Sequence, residues 1–233
     1  MDNRRRFNKE VTVGNSVTWR SVARGSVFFL GLLICGAAAR GQAYYSTLSG
    51  GYSNLQTQHT GSGLFYDHSG AYLDFDFGWR VPNPDFPLLL GLGITGSDYW
   101  DSHSIVNTFP DGNVAQVNLD SDVGLFELEP RIGLALWSAN MPGMFLKPRL
   151  GAGLLIDNYA IDQTIPVTGG SILGTQYHTG AAFEVRPAVQ AGYSWGPGAF
   201  GAELSYMAAW GGFGGLGNNA QEFRAGVFFT LRY

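Results

Sequence analysis

The sequence predicts an all-β chain that closes into an antiparallel up-and-down barrel of eight strands. Three observations predict this fold: apolar and polar side chains alternate from Tyr44 onward, short and long connections alternate between those segments, and tryptophans recur beside the short connections. Alternation with a period of two is typical of a strand that has one apolar face and one polar face. No segment of useful length shows a helical period instead.

The last twelve residues, 222–233, show the alternation clearly, with apolar side chains on one face and mostly polar or charged ones on the other. Residues 71–81 repeat it, because Leu73, Phe75 and Phe77 alternate with Asp74 and Asp76. The predicted strands are residues 44–55, 69–81, 87–97, 120–137, 144–157, 176–195, 199–210 and 220–233.

The connections between these strands fall into two classes. Residues 82–86, 139–143 and 196–198 are short and rich in turn formers. The longer connections are residues 56–68, 98–119, 158–175 and 211–219. Successive connections of an up-and-down barrel lie at opposite rims, so the tight turns share one rim, the turn-side rim, and the long loops share the other, the loop-side rim.

Composition limits the class of protein. Glycine accounts for 34 residues and charged residues for only 14% of the chain, whereas soluble domains carry about a quarter. The formal net charge of −4 gives no reason to expect a nucleic-acid partner. Cys35 is the single cysteine, which excludes an intrachain disulfide.

Residues 1–43 have the organisation of a secretory signal peptide. Basic residues precede an apolar run at 27–39, which falls short of the ~20 residues that span a bilayer as a helix. Gly41 and Ala43 place small residues where signal cleavage needs them, so we expect cleavage after Ala43. The mature domain is therefore predicted to be residues 44–233.

Two other export signals fit the same segment less well. Residues 4–9 are similar to a twin-arginine motif, but Asn8 departs from it. Residues 32–35 are similar to a lipoprotein box that ends at Cys35, but Ile34 departs from it.

The polar faces of the strands are predicted to line a lumen that is filled by paired charges. A solvated exterior favours many long Lys and Glu side chains, whereas a narrow lumen favours small residues between paired charges, and glycines such as Gly91 and Gly93 separate the charges here. The apolar faces then point toward lipid, and lipid requires the sheet to close, which makes the predicted barrel a transmembrane one. The predicted lumen ion network is Asp74, Asp76, Arg80, Glu127, Glu129, Arg131, Lys147, Arg149, Glu184, Arg186, Glu203, Glu222 and Arg224, with Arg232 on the same face.

Three prolines conflict with regular strands. Pro130, Pro148 and Pro187 lie inside predicted strands that have a neighbour on each side, where proline removes a ladder hydrogen bond. Each one adjoins a charged residue of the predicted lumen. We expect the strands to be bulged or locally irregular at these points.

Aromatic residues predict the position of the membrane interface. Trp79, Trp137 and Trp195 recur at intervals of 58 residues, each close to a short turn, and Phe200 and Tyr233 are expected at the same rim. Such rings are enriched at the bilayer interface. Strict alternation puts Trp137 on the charged face, so the pattern predicts either a bulge there or a ring that lies on the turn.

The C-terminal segment resembles the closing strand of bacterial outer-membrane β-barrels, which the barrel-assembly machinery reads. Arg224 occupies the polar position of that pattern. The assembly signal that the resemblance implies is Gly226, Phe229, Leu231 and Tyr233, with Tyr233 where Phe is usual.

The whole mature chain resembles the small eight-stranded outer-membrane barrels, among them OmpX and the transmembrane domain of OmpA. The resemblance implies a location in the outer membrane, outer-membrane lipids as surroundings, and the barrel-assembly machinery as a partner. An eight-stranded barrel is only wide enough for its own side chains. We therefore expect a non-enzymatic barrel that displays four extracellular loops for envelope structure, adhesion or surface interaction to an unknown ligand, without a cofactor or a metal.

Two alternatives remain open from the sequence. The first is a narrow channel for small or hydrophobic solutes. The second is a lipid A-modifying enzyme, with His103 as the base and Ser102 or Ser104 as the nucleophile.

Overall fold

The structure is a computed structural model, and it describes residues 44–58, 65–81, 87–108, 114–167, 170–213 and 217–232. The predicted signal peptide lies outside the described residues. All regular elements of the described part are strands. In this part of the chain there is no helix with the length and hydropathy needed to cross a bilayer.

Eight strands form the sheet. A two-residue segment, Leu136–Trp137, continues the fourth strand after Ala135 and pairs with the fifth. The strands are β1 (Tyr44–Gln58), β2 (Phe65–Arg80), β3 (Leu88–Thr108), β4 (Val114–Leu134), β5 (Met144–Val167), β6 (Gly170–Trp195), β7 (Gly198–Phe213) and β8 (Gly217–Arg232).

The sheet closes into a barrel, as predicted. Each strand pairs antiparallel with its neighbours in sequence. The first and last strands pair as well, from Tyr45 with Arg232 to Thr57 with Ala220. Closure gives the backbone groups of the barrel body partners on both sides, which a hydrocarbon environment requires.

The two faces of the sheet differ as alternation predicts. On β2, Leu73 and Phe77 are 45% and 43% exposed, whereas Asp74 and Asp76 between and beside them are buried. The apolar side chains therefore cover the outside of the barrel, and the ionic ones point into its interior.

All four predicted loops are partly or mostly strand, which corrects the sequence prediction for residues 56–68, 98–119, 158–175 and 211–219. The extension is longest in residues 98–119 and 158–175. β3 and β4 remain paired as far as Thr108 with Val114, and β5 and β6 as far as Val167 with Gly170. β-Branched residues such as Ile105 favour strands in these segments. The segments were predicted as loops because they are also rich in Asp, Asn, Ser and Gly. The four strands extend beyond β1, β2, β7 and β8 as a protruding sheet at the loop-side rim.

The prolines are accommodated without the predicted bulges. Pro130, Pro148 and Pro187 each keep a paired position with one neighbouring strand. On the other side of each proline the ladder is interrupted and then resumes in the same register. For Pro130 the interruption lies between Leu128 and Arg131. The expected irregularity is therefore a local gap on one side, because proline lacks the N–H donor, and not an inserted residue.

The seam between β1 and β8 has little room for side chains. A Cβ atom on Gly51 would lie 2.5 Å from the Gly226 Cα, whereas one on Gly96 would meet nothing within 4 Å. Replacing Gly51 with Val is expected to destabilise the barrel by about 2 kcal/mol, because it overpacks the seam. Gly96→Val is the matched control and should change stability by less than about 0.5 kcal/mol.

The measurement is urea unfolding in lipid vesicles, together with the mobility difference between boiled and unboiled protein on a denaturing gel. Equal stability of the two variants would contradict the close packing of the seam.

Candidate functional site

The interior of the barrel is the candidate site, because the charged groups of the chain converge there. Of the thirteen residues of the predicted lumen network, all except Arg80 are buried inside the barrel. They form two layers, one nearer to each rim.

Arg131 organises the layer nearer to the turn-side rim. Its Nη1 donates to Asp74 Oδ2 at 2.7 Å and its Nη2 to Asp74 Oδ1 at 2.6 Å, and the guanidinium also pairs with Glu129. Thr95 Oγ1 and Ser49 Oγ donate to the same Asp74 carboxylate at 2.6 and 3.2 Å. Parallel bonds between a guanidinium and a carboxylate are among the stronger polar contacts in proteins.

Arg149 connects two further carboxylates in this layer. It donates to Asp76 Oδ2 at 3.1 Å and to Glu203 Oε2 at 2.7 Å, while Gln190 also donates to Glu203. Lys147, on the same strand, is buried but differs from the prediction. Among the described residues it forms no ion pair, and its ammonium lies 5.0 Å from the centre of the Tyr45 ring.

Arg186 and Arg224 organise the layer nearer to the loop-side rim. Arg186 Nη2 contacts Glu127, Glu184 and Glu222 at 2.7, 3.2 and 3.1 Å. Arg224 pairs with Glu127 and lies 2.5 Å from Glu222. The two guanidiniums therefore share two carboxylates, and the layer is one connected network.

Three uncharged groups complete this layer. Ser97 Oγ accepts a hydrogen bond from Arg224 Nη2 at 2.8 Å, and the Tyr72 ring lies under the same guanidinium, with 5.0 Å from its centre to Cζ. The Tyr99 hydroxyl donates to Glu222. Tyr99 is fully buried.

Glycines make room for these charges. A Cβ atom on Gly93 would overlap the Arg131 guanidinium, and one on Gly151 would overlap the Glu129 carboxylate. A buried charge is tolerated only when it is paired and hydrogen-bonded, and pairing requires close approach of bulky heads. The glycines on the inner face are therefore part of the ionic network.

Three carboxylates come close enough to resemble a metal site. Ligand oxygens of Glu127, Glu129 and Glu184 all lie within 4.8 Å of one another. Arg186 contacts all three, at 2.7, 3.6 and 3.2 Å. Its guanidinium already supplies positive charge to this cluster, so the arrangement is understood without an ion.

An apolar layer closes the interior above the ionic layers, and sequence reasoning missed it. The layer has the inward-facing residues of several strands near the loop-side rim, with Tyr159 packed against it. The sequence did contain a signal for this layer, namely apolar residues at positions where alternation predicts an inward-facing side chain. The cluster consists of Leu55, Tyr99, Val123, Leu125, Leu155, Ala182, Met207, Ala209 and Ala220.

Aromatic rings narrow the opposite mouth. Phe145 packs on Phe228 with ring centres 6.0 Å apart and on Trp137 at 5.5 Å. Trp137 lies on the inner face of its strand, as strict alternation predicts, because it pairs with the inward-facing Phe145 and the Arg232 guanidinium lies 4.9 Å from the centre of its ring. The ring belongs to the mouth of the barrel, and the pairing of Trp137 with Phe145 continues the β4 register, so no bulge turns it outward.

Arg80 also departs from the prediction. It is exposed, and among the described residues it forms no ion pair. Arg80 is the last residue of β2 and lines the mouth of the barrel at the turn-side rim, together with Lys147 and Arg232.

The other predicted girdle residues lie on the outside. Trp79, Trp195 and Phe200 are 39%, 45% and 55% exposed. Trp195 also packs against Phe200 and Phe229, with ring centres 5.5 and 6.1 Å apart. These rings form an external aromatic band near the turn-side rim, while Tyr233 lies outside the described residues.

The predicted assembly signal lies on the closing strand. Gly226, Phe229 and Leu231 belong to β8, which pairs with β1 on one side and β7 on the other. Phe229 is 44% exposed on the outer face. Recognition of this segment by the assembly machinery remains a prediction.

The residues of the enzyme alternative lie on the protruding sheet. Ser102 Oγ donates to Asp120 at 2.6 Å, and Ser104 Oγ donates to Asn118 at 2.7 Å, both at exposed positions. The side chain of His103 lies outside the described residues. The two serines thus bond to the neighbouring strand.

Taken together, the chain is a closed eight-stranded barrel with an apolar exterior and an ionic interior. That inversion of the usual protein surface is the architecture of a transmembrane β-barrel, in which lipid contacts the outward side chains.

Comparison with known proteins gives structural neighbours of the same architecture. No protein-family model and no curated protein sequence matches the chain. Ail, the attachment invasion locus protein of Yersinia pestis, in complex with the heparin analogue sucrose octasulfate, is 13% identical; the match covers 81% of this chain and 99% of Ail, with a TM-score of 0.45.

Two further solved structures match most of the chain. Neisserial surface protein A is 14% identical, with 82% of this chain and 97% of that chain covered and a TM-score of 0.37. The N-terminal β-barrel domain of OprF from Pseudomonas aeruginosa is 17% identical, with 82% and 100% covered and a TM-score of 0.32. Likenesses at this level do not transfer a function.

The pairing inside the lumen can be tested on Arg131. Arg131→Leu leaves the Asp74 carboxylate buried without its counter-charge and is expected to destabilise the barrel by about 4 kcal/mol. Arg80→Leu, which removes an exposed guanidinium, should cost less than about 0.5 kcal/mol. Urea unfolding in an uncharged detergent without phosphate groups measures both.

The double variant Asp74→Leu with Arg131→Leu replaces this pair by apolar groups and should recover part of the loss, because Glu129 keeps only its contact with Arg186 at 3.6 Å. A double variant less stable than Arg131→Leu alone would contradict the assignment of the cost to an unpaired carboxylate.

Proposed function

We propose that this protein is an outer-membrane β-barrel that is exported by a cleaved signal peptide, does not conduct solutes, and presents its protruding sheet to partners at the cell surface. The observation that carries the proposal is the unequal length of the strands. β5 and β6 have 24 and 26 residues, whereas about 10 residues suffice to cross a bilayer as a tilted strand.

The location is supported by the outer face and by the two rims. Trp79, Trp195 and Phe200 would lie at the membrane interface, with the tight turns on the periplasmic side. The protruding sheet would then stand outside the cell. Outer-membrane lipids would surround the barrel, and the assembly machinery would recognise the β8 segment that ends at Tyr233.

The absence of conduction is supported by the filling of the lumen. Two ionic layers hold Arg131, Arg149, Arg186 and Arg224 against buried carboxylates, and the apolar layer lies above them. An ion entering this interior would have to displace paired charges and cross an apolar layer, which is costly.

Surface contact is supported by the edges of the protruding sheet. On the side of β2, the pairing of β3 ends at Trp100 with Ser69; on the side of β7, the pairing of β6 ends at Ala181 with Gly212. Among the described residues, no strand covers β3 beyond Trp100 or β6 before Ala181 on those sides. Unpaired strand edges offer backbone donors and acceptors to an added strand of another chain.

Charge restricts the kind of partner. The loop-side segments 56–72, 96–126, 155–182 and 208–221 contain no lysine or arginine, and they carry Asp98, Asp101, Asp120, Asp122 and Asp162 among other acids. A polyanion such as the heparin analogue found with Ail would be repelled by such a surface. The acidic surface favours a basic partner.

Because the lumen is filled, we expect the barrel not to conduct ions. Purified protein inserted into planar bilayers should give no steady single-channel steps in potassium chloride, because paired charges and buried apolar side chains occupy the interior. Insertion is verified on the same membranes by protease protection of the barrel. Steady single-channel steps from the full-length protein would overturn the non-conducting assignment.

The display proposal predicts a loss of contact when the sheet is shortened. Asp101, Ser121, Ile161 and Gln176 lie in one row of paired positions. Replacing residues 102–120 and 162–175 each by Asn-Gly joins both hairpins at that level with a favoured two-residue turn. The shortened barrel keeps its ionic and apolar layers.

The measurement is attachment of cells that express either form to surfaces coated with a basic protein, lysozyme, or with heparin. We expect full-length protein to increase attachment to lysozyme at low salt and not to heparin, and the shortened form to lose the increase. Equal attachment of both forms, at equal surface amounts, would contradict display by the sheet.

A further inference from the structure

We propose that the turn-side mouth of the barrel binds an oxyanion, the phosphate group of a free phosphate or of a phospholipid, between Arg80, Lys147 and Arg232. These three cations line one recess of about 40 Å³ at the rim opposite to the protruding sheet. The proposal concerns a different end of the molecule from the surface contacts above. The remaining lining residues are Tyr44, Tyr45, Leu89, Ala135, Trp137, Phe145 and Thr230.

Two of the cations are held by aromatic rings. Lys147 Nζ lies 5.0 Å from the centre of the Tyr45 ring, and Arg232 Cζ lies 4.9 Å from the centre of the Trp137 ring. A ring face attracts a cation but carries no net charge, so it positions the cation without neutralising it.

The positive charge of the recess is not balanced by carboxylates of the described residues. None of them forms an ion pair with Arg80, Lys147 or Arg232. Asp76 and Glu203, the interior carboxylates of the adjoining layer, are bound by Arg149 at 3.1 and 2.7 Å. Lys147 is only 5% exposed, so its charge has lost most of its contact with water. A buried charge is costly unless it is paired, so an anion bound in the recess would supply the counter-charge that the described residues do not.

The size of the recess limits the anion. A cavity needs about 10–15 Å³ for one water, so a recess of about 40 Å³ has room for one phosphate group. Guanidiniums present paired N–H groups that match the oxygens of phosphate, and lysine adds a point charge. Arg80 and Tyr44 are exposed at the rim, near the level of Trp79, so a lipid headgroup has access from the side.

Two measurements distinguish the sources of the phosphate group. Purified barrel in an uncharged detergent is titrated with inorganic phosphate by calorimetry, and native mass spectrometry counts phosphatidylglycerol molecules retained by the barrel. Binding of inorganic phosphate with a stoichiometry of one supports a free anion. Retention of one lipid without phosphate binding supports a lipid headgroup, and both results together support the shared chemistry.

Variants connect the binding to the recess. Arg80→Gln and Arg232→Gln each remove one charged donor and are expected to weaken binding about tenfold or more. Arg80→Lys keeps the charge and should restore most of it. Because Arg80 is exposed, its variants should fold, which the gel-mobility difference between boiled and unboiled protein verifies.

Absence of both phosphate binding and lipid retention would overturn the proposal, as would affinities unchanged in Arg80→Gln and Arg232→Gln. Asp85, in the adjoining short turn outside the described residues, supplies a last test. Binding that appears only in Asp85→Asn would mean that the chain provides its own counter-charge, which also overturns the proposal.

Discussion

The absence of a free edge in the barrel wall is the constraint on which the rest of the structure depends. In hydrocarbon an unpaired backbone group costs several kcal/mol, so β1 must pair with β8 along its length. Closure of eight strands then fixes a lumen only as wide as the side chains that enter it. The inward-facing residues have to fill that space themselves, and the small residues Gly51 and Gly226 at the seam are part of the same requirement.

The interior is built from charges that are stable only in combination. Arg131, Arg149, Arg186 and Arg224 each contact at least two carboxylates, and removing one partner would leave another group buried without its counter-charge. The apolar layer above and the aromatic mouth below restrict the entry of water to these layers. Low polarity strengthens the pairs and equally increases the penalty for losing one.

Much of this architecture was predictable from the sequence, because a strand with one apolar and one polar face has a sequence in which the two residue types alternate. Leu73 and Asp74 are assigned to opposite sides by that pattern alone, and the alternation of short and long connections assigns the rims. Which carboxylate meets which guanidinium was not predictable, because the partners, such as Asp74 and Arg131, come from strands that are far apart in sequence.

The points at which the sequence prediction differs from the structure have specific physical causes. Ile105 and its neighbours were read as loop because strands that leave the membrane no longer need an apolar outer face, so the alternation fades where the hairpins continue. Alternation places both Trp137 and Arg80 on the inner face, and Trp137 pairs there with Phe145. Alternation does not show that the inner face has already reached the open mouth at these positions, where both side chains are exposed.

The spacing of the charges along β4 has a consequence for strand alignment. If β4 slipped by two residues relative to its neighbours, every apolar side chain would still point outward. The lipid-facing surface alone therefore does not select the native register. Glu127, Glu129 and Arg131 follow one another at that same interval. Such a slip would move Glu129 toward the place of Arg131 and bring two carboxylates, Glu129 and Asp74, together. The ion pairs inside the barrel therefore disfavour a misalignment that the apolar exterior would tolerate.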